Sequence, residues 1–407
     1  MGKLTVFGGI KPFGTVKISG SKNESLPIIF STVLMRGVSE IENLPDILDV
    51  RVAIEIIEKL GARVERRDNL VKVDTRELTY TELPSSLTSR LRASTYLIGA
   101  MLSRFGRSPI SGFGGCSFSP RPIDMHIAAL EALSGKVGSD HATAERLIGA
   151  DIYFRCRSVG ATVNALLLSV SAKGVSRIFG YAREAHIMNL ISFLQSAGAD
   201  ITLDEEKITV RGRELSGGKI RIAPDMLEGA TYLNMSAMSC GEIFLRGIEL
   251  DAFASTLGVY LALGLRPMKD ERGVYISRVC APKRTEIVAE PEPGFPTDLQ
   301  PIFAPLMACT VGGSIEDRVF PSRFGYLSEL SRYGIKSAGD FSRVEIYGST
   351  PRAADSRAID LRGGMSVLLT AICAEGASEI SSAELILRGY DSLVPKLRAL
   401  GLDVRYE

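Results

Sequence analysis

A cysteine stands in a glycine-rich loop followed closely by cations. Residues 112–126 read GFGGCSFSPRPIDMH, with Gly112, Gly114 and Gly115 ahead of Cys116 and Arg121 five residues beyond it. Glycines let a backbone approach a ligand closely. A loop thiol beside positive charge has a lowered pKa and suits a role as acid or nucleophile. The other cysteines, 156, 240, 280, 309 and 373, have no such setting and read as small apolar side chains. No two of the six form a CxxC pair, and the three histidines are scattered, so no metal site is expected.

A second group of reactive residues lies at the starts of six apolar helical segments. These starts read GSKN (20–23), SRLRAS (89–94), CRSVGAT (156–162), PDMLEGAT (224–231), FPTDLQ (295–300) and IDLRGG (359–364). A helix N-terminus carries a partial positive charge, so Lys22, Arg92, Arg157 and Arg362 run against the macrodipole. Solvated surface charge is the usual fate of such residues. Gathered on one cleft, they make a cage for a small polyanion. Asp298 reads either as a helix-start carboxylate or as a general base facing the same cleft. Asp225 and Asp360 are similarly placed. Neither GxxxxGK[ST] nor GxGxxG is present, so a nucleotide must be held in another way.

The elements that position these residues repeat. An amphipathic helix, a glycine and a strand recur at Gly61, Gly135, Gly198, Gly264, Gly334 and Gly401, every 63–74 residues. Each glycine fits the left-handed position that ends a helix. An earlier helix, apolar nearly all round, precedes each: Lys22–Met35, Arg90–Leu102, Val159–Ala172, Met226–Met238, Leu299–Cys309 and Leu361–Ala374. Such a helix is buried, whereas the amphipathic one covers the outside. The unit is therefore helix, strand, helix, strand, strand. Six units divide into two α/β domains of three, with inner helices and outer sheets. The N-terminal strands TVFGGI and TVKIS pair with the C-terminal unit. Residues 1–21 and 224–407 then form a discontinuous domain, and 22–223 an inserted one carrying the Cys116 loop.

Lys plus Arg number 48 and Asp plus Glu 47, a net charge of +1, which argues against a nucleic-acid binder. No apolar run approaches the ~20 residues of a membrane helix. The N-terminus lacks a secretion signal, and reduced thiols in a cytoplasm are expected.

ISGSKN, LRAS, GGC followed by RPIDMH, SVGAT, YARE, FPTDLQ, SRF, DLR and RGYDSLVPKLRALG together resemble the enolpyruvyl transferases along essentially the whole chain. The likeness is greatest to the branch that uses UDP-N-acetylglucosamine as acceptor. It implies a two-domain inside-out α/β barrel and transfer of the enolpyruvyl group of phosphoenolpyruvate to a sugar hydroxyl, with loss of phosphate. That chemistry serves peptidoglycan precursor synthesis and needs no cofactor. By this resemblance Cys116 is the acid and a candidate covalent site for phosphoenolpyruvate, and the expected site of alkylation by fosfomycin, and Asp298 contacts the accepting hydroxyl. Lys22, Arg121 and Arg388 match phosphate-side cations, with Lys22 and Arg388 also catalytic. Arg323 and Arg362 match carboxylate-side cations, and Arg92 supports the cage. Asn23, Arg121, Pro122, Ile123, Asp124, Met125 and His126 match nucleotide contacts. So do Arg157, Ser158, Val159, Gly160 and Val319. Asp225 and Asp360 support, Asp360 by orienting Lys22 and the loop.

The chain departs from the family pattern near the sugar nucleotide. Cys156 stands where Lys is usual, His186 replaces a carboxylate, Met226 replaces Arg, and 136–150 lacks a hairpin that the family completes. The departures raise two alternatives. One is the same chemistry on another uridine nucleotide, such as the 3′-hydroxyl of UMP in nucleoside-antibiotic assembly. The other is a non-catalytic nucleotide-binding paralogue.

Overall fold

The structure is a computed structural model that describes residues 2–67, 69–114 and 121–407. These fall into two compact units. One comprises residues 2–19 and 224–407, the other residues 20–114 and 121–223. Each has its own apolar core.

In the first unit three buried helices, Met226–Ser239, Gln300–Ala308 and Leu361–Cys373, pack on one another. All nine residues of Gln300–Ala308 are buried, as an all-apolar surface requires. Three sheets of four strands surround them. In the second unit the inner helices are Lys22–Ser31, Leu97–Phe105 and Val159–Ser169, again with three sheets. The outer helices are two-faced: Leu48–Lys59 buries Val50, Val52, Ala53, Ile56 and Ile57 and exposes its charged face. Segment 90–102 departs from a single helix. A 3₁₀ turn, Arg92–Tyr96, precedes the helix proper, Leu97–Phe105, so Arg92 stands a turn and a half ahead of it.

The repeating unit has one more strand than the periodicity reveals. Five of the six sheets carry an edge strand parallel to the central one, as Asp151–Tyr153 lies beside Val175–Phe179 and Lys219–Arg221 beside Val38–Glu42. Three of these edge strands, Asp151–Tyr153, Lys219–Arg221 and Ser356–Arg357, have only two or three residues, too few to show a period. The N-terminal strands also divide between two sheets. Lys3–Gly8 pairs with both Gly376–Ser381 and Asp403–Tyr406, turning Leu4 and Val6 inward. Phe13–Lys17 instead runs parallel to Glu242–Arg246, covering an edge that would otherwise be unpaired. The expected gap at 136–150 is filled: Lys136–Val137 and His141–Thr143 form a short hairpin, Lys136 opposite Thr143.

The helix-ending glycines have positive φ at Gly61, Gly198, Gly264, Gly334 and Gly401, but not at Gly135. There Ser134 takes the left-handed conformation, at φ +69°. Gly135 is needed for space, since a Cβ would lie 2.1 Å from Leu130 Cδ1. A side chain held left-handed costs about 1–2 kcal/mol, partly offset by the looser unfolded state of glycine. Ser134→Gly is therefore expected to raise the unfolding free energy by about 0.5–1 kcal/mol. Gly334→Ala, with open space around it but φ +85°, should lower it by about 1 kcal/mol. Denaturant unfolding of the two variants measures both signs.

Candidate active site

In the unit formed by 20–114 and 121–223, the reactive residues sit at the starts of the inner helices. Lys22 opens the first of them, and its Nζ donates to Asp49 Oδ2 at 3.0 Å. Asp49 lies in the first turn of the outer helix Leu48–Lys59 and is 3% exposed. The structure pairs Lys22 with Asp49, and Asp360 Oδ1 accepts from the backbone N–H groups of Arg362 and Gly363, both at 2.9 Å. Asp360 is thus a helix N-cap, as is Asp225, whose Oδ1 accepts from the N–H groups of Leu227 and Glu228. Asn23 follows Lys22, half-buried.

Arg92 Nη2 donates to the carbonyl of Arg121 at 2.6 Å. Burial, and then the like charge of Arg121, lower the Arg92 pKa from its ordinary value. Two like charges that repel in this way gain from an anion placed between them. Gly115 and Cys116 lie outside the described residues, as do Ser117–Ser119 and Pro120.

Two segments matched to nucleotide contacts come together in this unit. Asp124 pairs with Arg155 at 2.5 Å, Met125 Sδ lies 3.9 Å from Cys156 Sγ, and His126 meets Gly160. A Cβ on Gly160 would lie 3.0 Å from His126 Cε1 and 3.1 Å from Nε2, so a larger residue would crowd the ring. Ser158 caps the helix Val159–Ser169, accepting from Ala161 N–H at 3.4 Å. Arg157 and Cys156 are exposed, and Pro122 likewise, while Ile123 and Val159 are half-buried. His186 is half-buried in the helix Ala185–Ser196, and Met226 is half-buried at the start of Met226–Ser239.

The proton on His126 is fixed by its neighbours. Asn164 Oδ1 accepts from Gly99 N–H at 2.7 Å, which turns Nδ2 toward Thr95 O at 3.0 Å and His126 Nδ1 at 2.6 Å. Nδ2 can only donate, so Nδ1 accepts and the ring proton is on Nε2, facing Gly160. Burial, and then the charge of Arg92, lower the His126 pKa to about 4.

In the unit formed by 2–19 and 224–407, Asp298, Arg323 and Arg362 form one cluster. Asp298 does not cap its helix, which begins at Gln300 with Leu299 as N-cap. Its Oδ1 accepts from Arg323 Nη1 at 2.7 Å, and its Oδ2 lies 3.9 Å from Arg362 Nε. Arg323 Nη1 also donates to Thr297 Oγ1 at 3.2 Å, and Gln300 Nε2 holds the Arg323 carbonyl at 2.9 Å. Arg362 is 2% exposed. Its Nη1 donates to Tyr390 Oη at 3.0 Å. Its Nε and Nη2, the two donors of its side fork, are buried and have no hydrogen-bond partner among the described residues. Burial opposes the charge, while Tyr390, Asp298 and Asp225 hold the Arg362 pKa above its ordinary value. A buried bidentate fork left open in this way fits a carboxylate or phosphate. Arg388 ends the short helix Glu384–Leu387 and is half-buried. Val319 is half-buried in a turn ordered by Asp317, whose Oδ1 accepts from the Val319 and Phe320 N–H groups at 2.9 and 2.7 Å.

Residues 9–397 match the family model of EPSP synthase (3-phosphoshikimate 1-carboxyvinyltransferase). UDP-N-acetylglucosamine 1-carboxyvinyltransferase 3 of Caldanaerobacter subterraneus subsp. tengcongensis is 37% identical over 414 residues, covering 99% of each chain. The chain belongs to the enolpyruvyl transferase family. UDP-N-acetylglucosamine 1-carboxyvinyltransferase 2 of Clostridium acetobutylicum is 36% identical over 417 residues, covering all of both chains. The enolpyruvyl transferase NikO from Streptomyces tendae superposes with a TM-score of 0.91 at 26% identity, over 100% of this chain and 99% of that one. EPSP synthase from Acinetobacter baumannii, at 16% identity and a TM-score of 0.75 over the full length of both chains, shares the fold. The chain is therefore a transferase of two α/β domains. No helix among the described residues is long and apolar enough to cross a membrane. No group of three His, Cys, Asp or Glu among them could hold a metal ion.

A buried neutral histidine gives this family member an acid sensitivity whose sign follows from its pKa. Unfolded, His126 titrates near 6.5; folded, near 4. Between those values the unfolded chain binds a proton that the native one does not, so stability falls as pH drops below 6.5. From pH 7 to pH 5 the loss is about 2 kcal/mol. The pH 7-to-5 drop in unfolding free energy should be smaller by about that amount in His126→Gln, which keeps an acceptor for Asn164. Equal drops in both proteins would contradict a neutral His126.

Proposed function

We propose that the chain transfers the enolpyruvyl group of phosphoenolpyruvate to the 3-hydroxyl of UDP-N-acetylglucosamine and releases phosphate, the step that feeds peptidoglycan precursors in the cytoplasm. The observation that carries this reading is the open Nε/Nη2 fork of buried Arg362 beside the Asp298–Arg323 pair. An anion dock and a carboxylate at one spot are what addition of a hydroxyl to an anionic enol ether requires. The full-length identity to relatives named for that acceptor supports the choice of sugar nucleotide.

In this reading the chemistry runs in two balanced steps. Asp298 takes the proton of the accepting hydroxyl, whose oxygen bonds to C2 of phosphoenolpyruvate. Cys116 gives a proton to the methylene carbon, and a tetrahedral phosphate adduct forms. The Cys116 thiolate then takes back a methyl proton, the C2–O(phosphate) bond breaks, and the departing phosphate takes the proton held by Asp298, which restores both groups and leaves the enol ether. Arg323 and Arg362 hold the carboxylate. Lys22, Arg121 and Arg388 balance phosphate charge, with Arg92 backing Arg121. The Arg121–His126 segment, Asn23, Arg157–Gly160 and Val319 hold the nucleotide.

A second acceptor is favoured by one observation. Where the resemblance calls for Lys, exposed Cys156 stands, and the neighbouring Arg155 is engaged by Asp124. A site with less charge at the diphosphate suits a uridine monophosphate. Phosphate release from phosphoenolpyruvate with each acceptor decides between them. UDP-N-acetylglucosamine is expected to react about a hundredfold or more faster than UMP. Turnover with UMP alone would overturn the acceptor, and no release with either would leave a nucleotide-binding protein without this chemistry.

A further inference from the structure

Three hydroxyl and carbonyl groups behind Arg362 form a chain whose proton order is determined. Thr231 lies in the helix Met226–Ser239, and its Oγ1 sits 2.8 Å from the carbonyl oxygen of Leu227. A carbonyl only accepts, so the single Thr231 proton points there. Thr231 Oγ1 is also 2.9 Å from Tyr390 Oη. With the threonine proton committed, Tyr390 must be the donor in that contact. Its oxygen is then turned to accept from Arg362 Nη1 at 3.0 Å. The order runs from Arg362 to Tyr390 to Thr231 to Leu227, each group giving one proton to the next.

The surroundings hold this chain in place. Thr231, Tyr390 and Arg362 are 1%, 3% and 2% exposed. Burial raises the pKa of the Tyr390 hydroxyl, so it keeps its proton at neutral pH. The Arg362 Cζ lies 5.4 Å from the centre of the Tyr390 ring, within reach of a cation–π attraction. The hydrogen bond to Tyr390 and the ring together fix the rotation of the guanidinium. Fixed that way, Nη1 faces Tyr390, while the Nε/Nη2 fork has no hydrogen-bond partner among the described residues and only the longer 3.9 Å approach of Asp298 Oδ2 to Nε.

We infer that Tyr390 and Thr231 are positioning residues that aim the side fork of Arg362 at the carboxylate of the incoming substrate. The inference rests on the reading of Arg362 as the arginine that docks that anion. Neither hydroxyl touches the reacting atoms. Tyr390 supplies the acceptor that occupies Nη1, and Thr231 supplies the acceptor that keeps the Tyr390 proton away from the guanidinium. If the Tyr390 proton turned toward Arg362, donor would meet donor and the arginine would swing.

The test compares Tyr390→Phe, Thr231→Val and Thr231→Ser with the wild-type chain in steady-state turnover of phosphoenolpyruvate and UDP-N-acetylglucosamine. Thermal unfolding is recorded alongside. Removing a hydrogen bond to a charged group corresponds to about tenfold or more in affinity. Tyr390→Phe is expected to raise the KM for phosphoenolpyruvate about tenfold while the KM for the nucleotide stays within about twofold. Thr231→Val should move the same constant in the same direction by less, and Thr231→Ser, which keeps the hydroxyl, should restore it. An unchanged phosphoenolpyruvate KM in Tyr390→Phe and Thr231→Val would overturn the inference and leave the function standing. So would equal losses for both substrates in step with lower melting temperatures, since that marks a general packing defect. A wild-type chain that neither binds nor consumes phosphoenolpyruvate would overturn the parent reading, and this inference with it.

Discussion

One buried charge governs the unit built from residues 2–19 and 224–407. Moving a guanidinium out of water costs several kcal/mol even after the protein relaxes, unless charges and hydrogen bonds compensate it. Arg362 is 2% exposed, and its compensation is incomplete. Asp298 Oδ2 lies at 3.9 Å from Nε, and the other carboxylate oxygen is engaged by Arg323 at 2.7 Å. Tyr390 satisfies one donor. The charge also sits in the first turn of a helix, where the macrodipole opposes it. Asp360 as N-cap softens that opposition by placing a carboxylate at the same helix end. On the proposed function the remaining deficit is made up by the substrate's carboxylate.

The scaffold explains how such a deficit is tolerated. The helix Leu361–Cys373 is buried almost throughout and packed against Gln300–Ala308 and Met226–Ser239. Leucine-class side chains each contribute about 1.5–3 kcal/mol on burial. Val367, Leu368, Leu369 and Ile372 on this one helix therefore outweigh a single poorly solvated cation. The same pattern of buried inner helices recurs in the other unit. There Asn164 is one of the buried polar side chains on the inner helices, and it is satisfied by Gly99, Thr95 and His126. Asn164 is closed by protein, whereas the Nε/Nη2 fork of Arg362 is left without a hydrogen-bond partner among the described residues.

Much of this was legible in the residues and some was not. The inner helices could be read because an apolar run of ten or more residues with a basic or acidic start is distinctive. The helix-ending glycines were legible because positive φ has few tolerant residues, although Ser134 shows that the left-handed position can shift by one. Asp298 could be read only as a helix-start carboxylate or a base. Its ion pair with Arg323, 25 residues away, is a tertiary fact. Asp49 was passed over because it looks like one more polar residue at the start of an amphipathic helix, yet it is 3% exposed and bound to Lys22. Tyr390 and Thr231 lie within quoted motifs, but their meaning lies in the direction of two hydroxyl protons, which spacing does not encode. The three-residue edge strands were invisible for want of a period. Cys116, the residue that most attracts attention in the sequence, lies outside the described residues, so its role rests on the loop composition and the family resemblance.

The central claim is that Arg362 is held for a ligand rather than for the fold. Unfolding free energies of the wild-type chain and Arg362→Met, with and without phosphoenolpyruvate, test it most directly. Methionine fills the space without a charge, and Asp298 keeps Arg323 as its partner. The account predicts that, without ligand, Arg362→Met is at least as stable as the wild type. Phosphoenolpyruvate at a hundredfold its Kd should stabilise the wild type by about 2.7 kcal/mol and the variant not at all. A variant that is weaker by about 3–5 kcal/mol without ligand, the cost of breaking a structural buried ion pair, would contradict it.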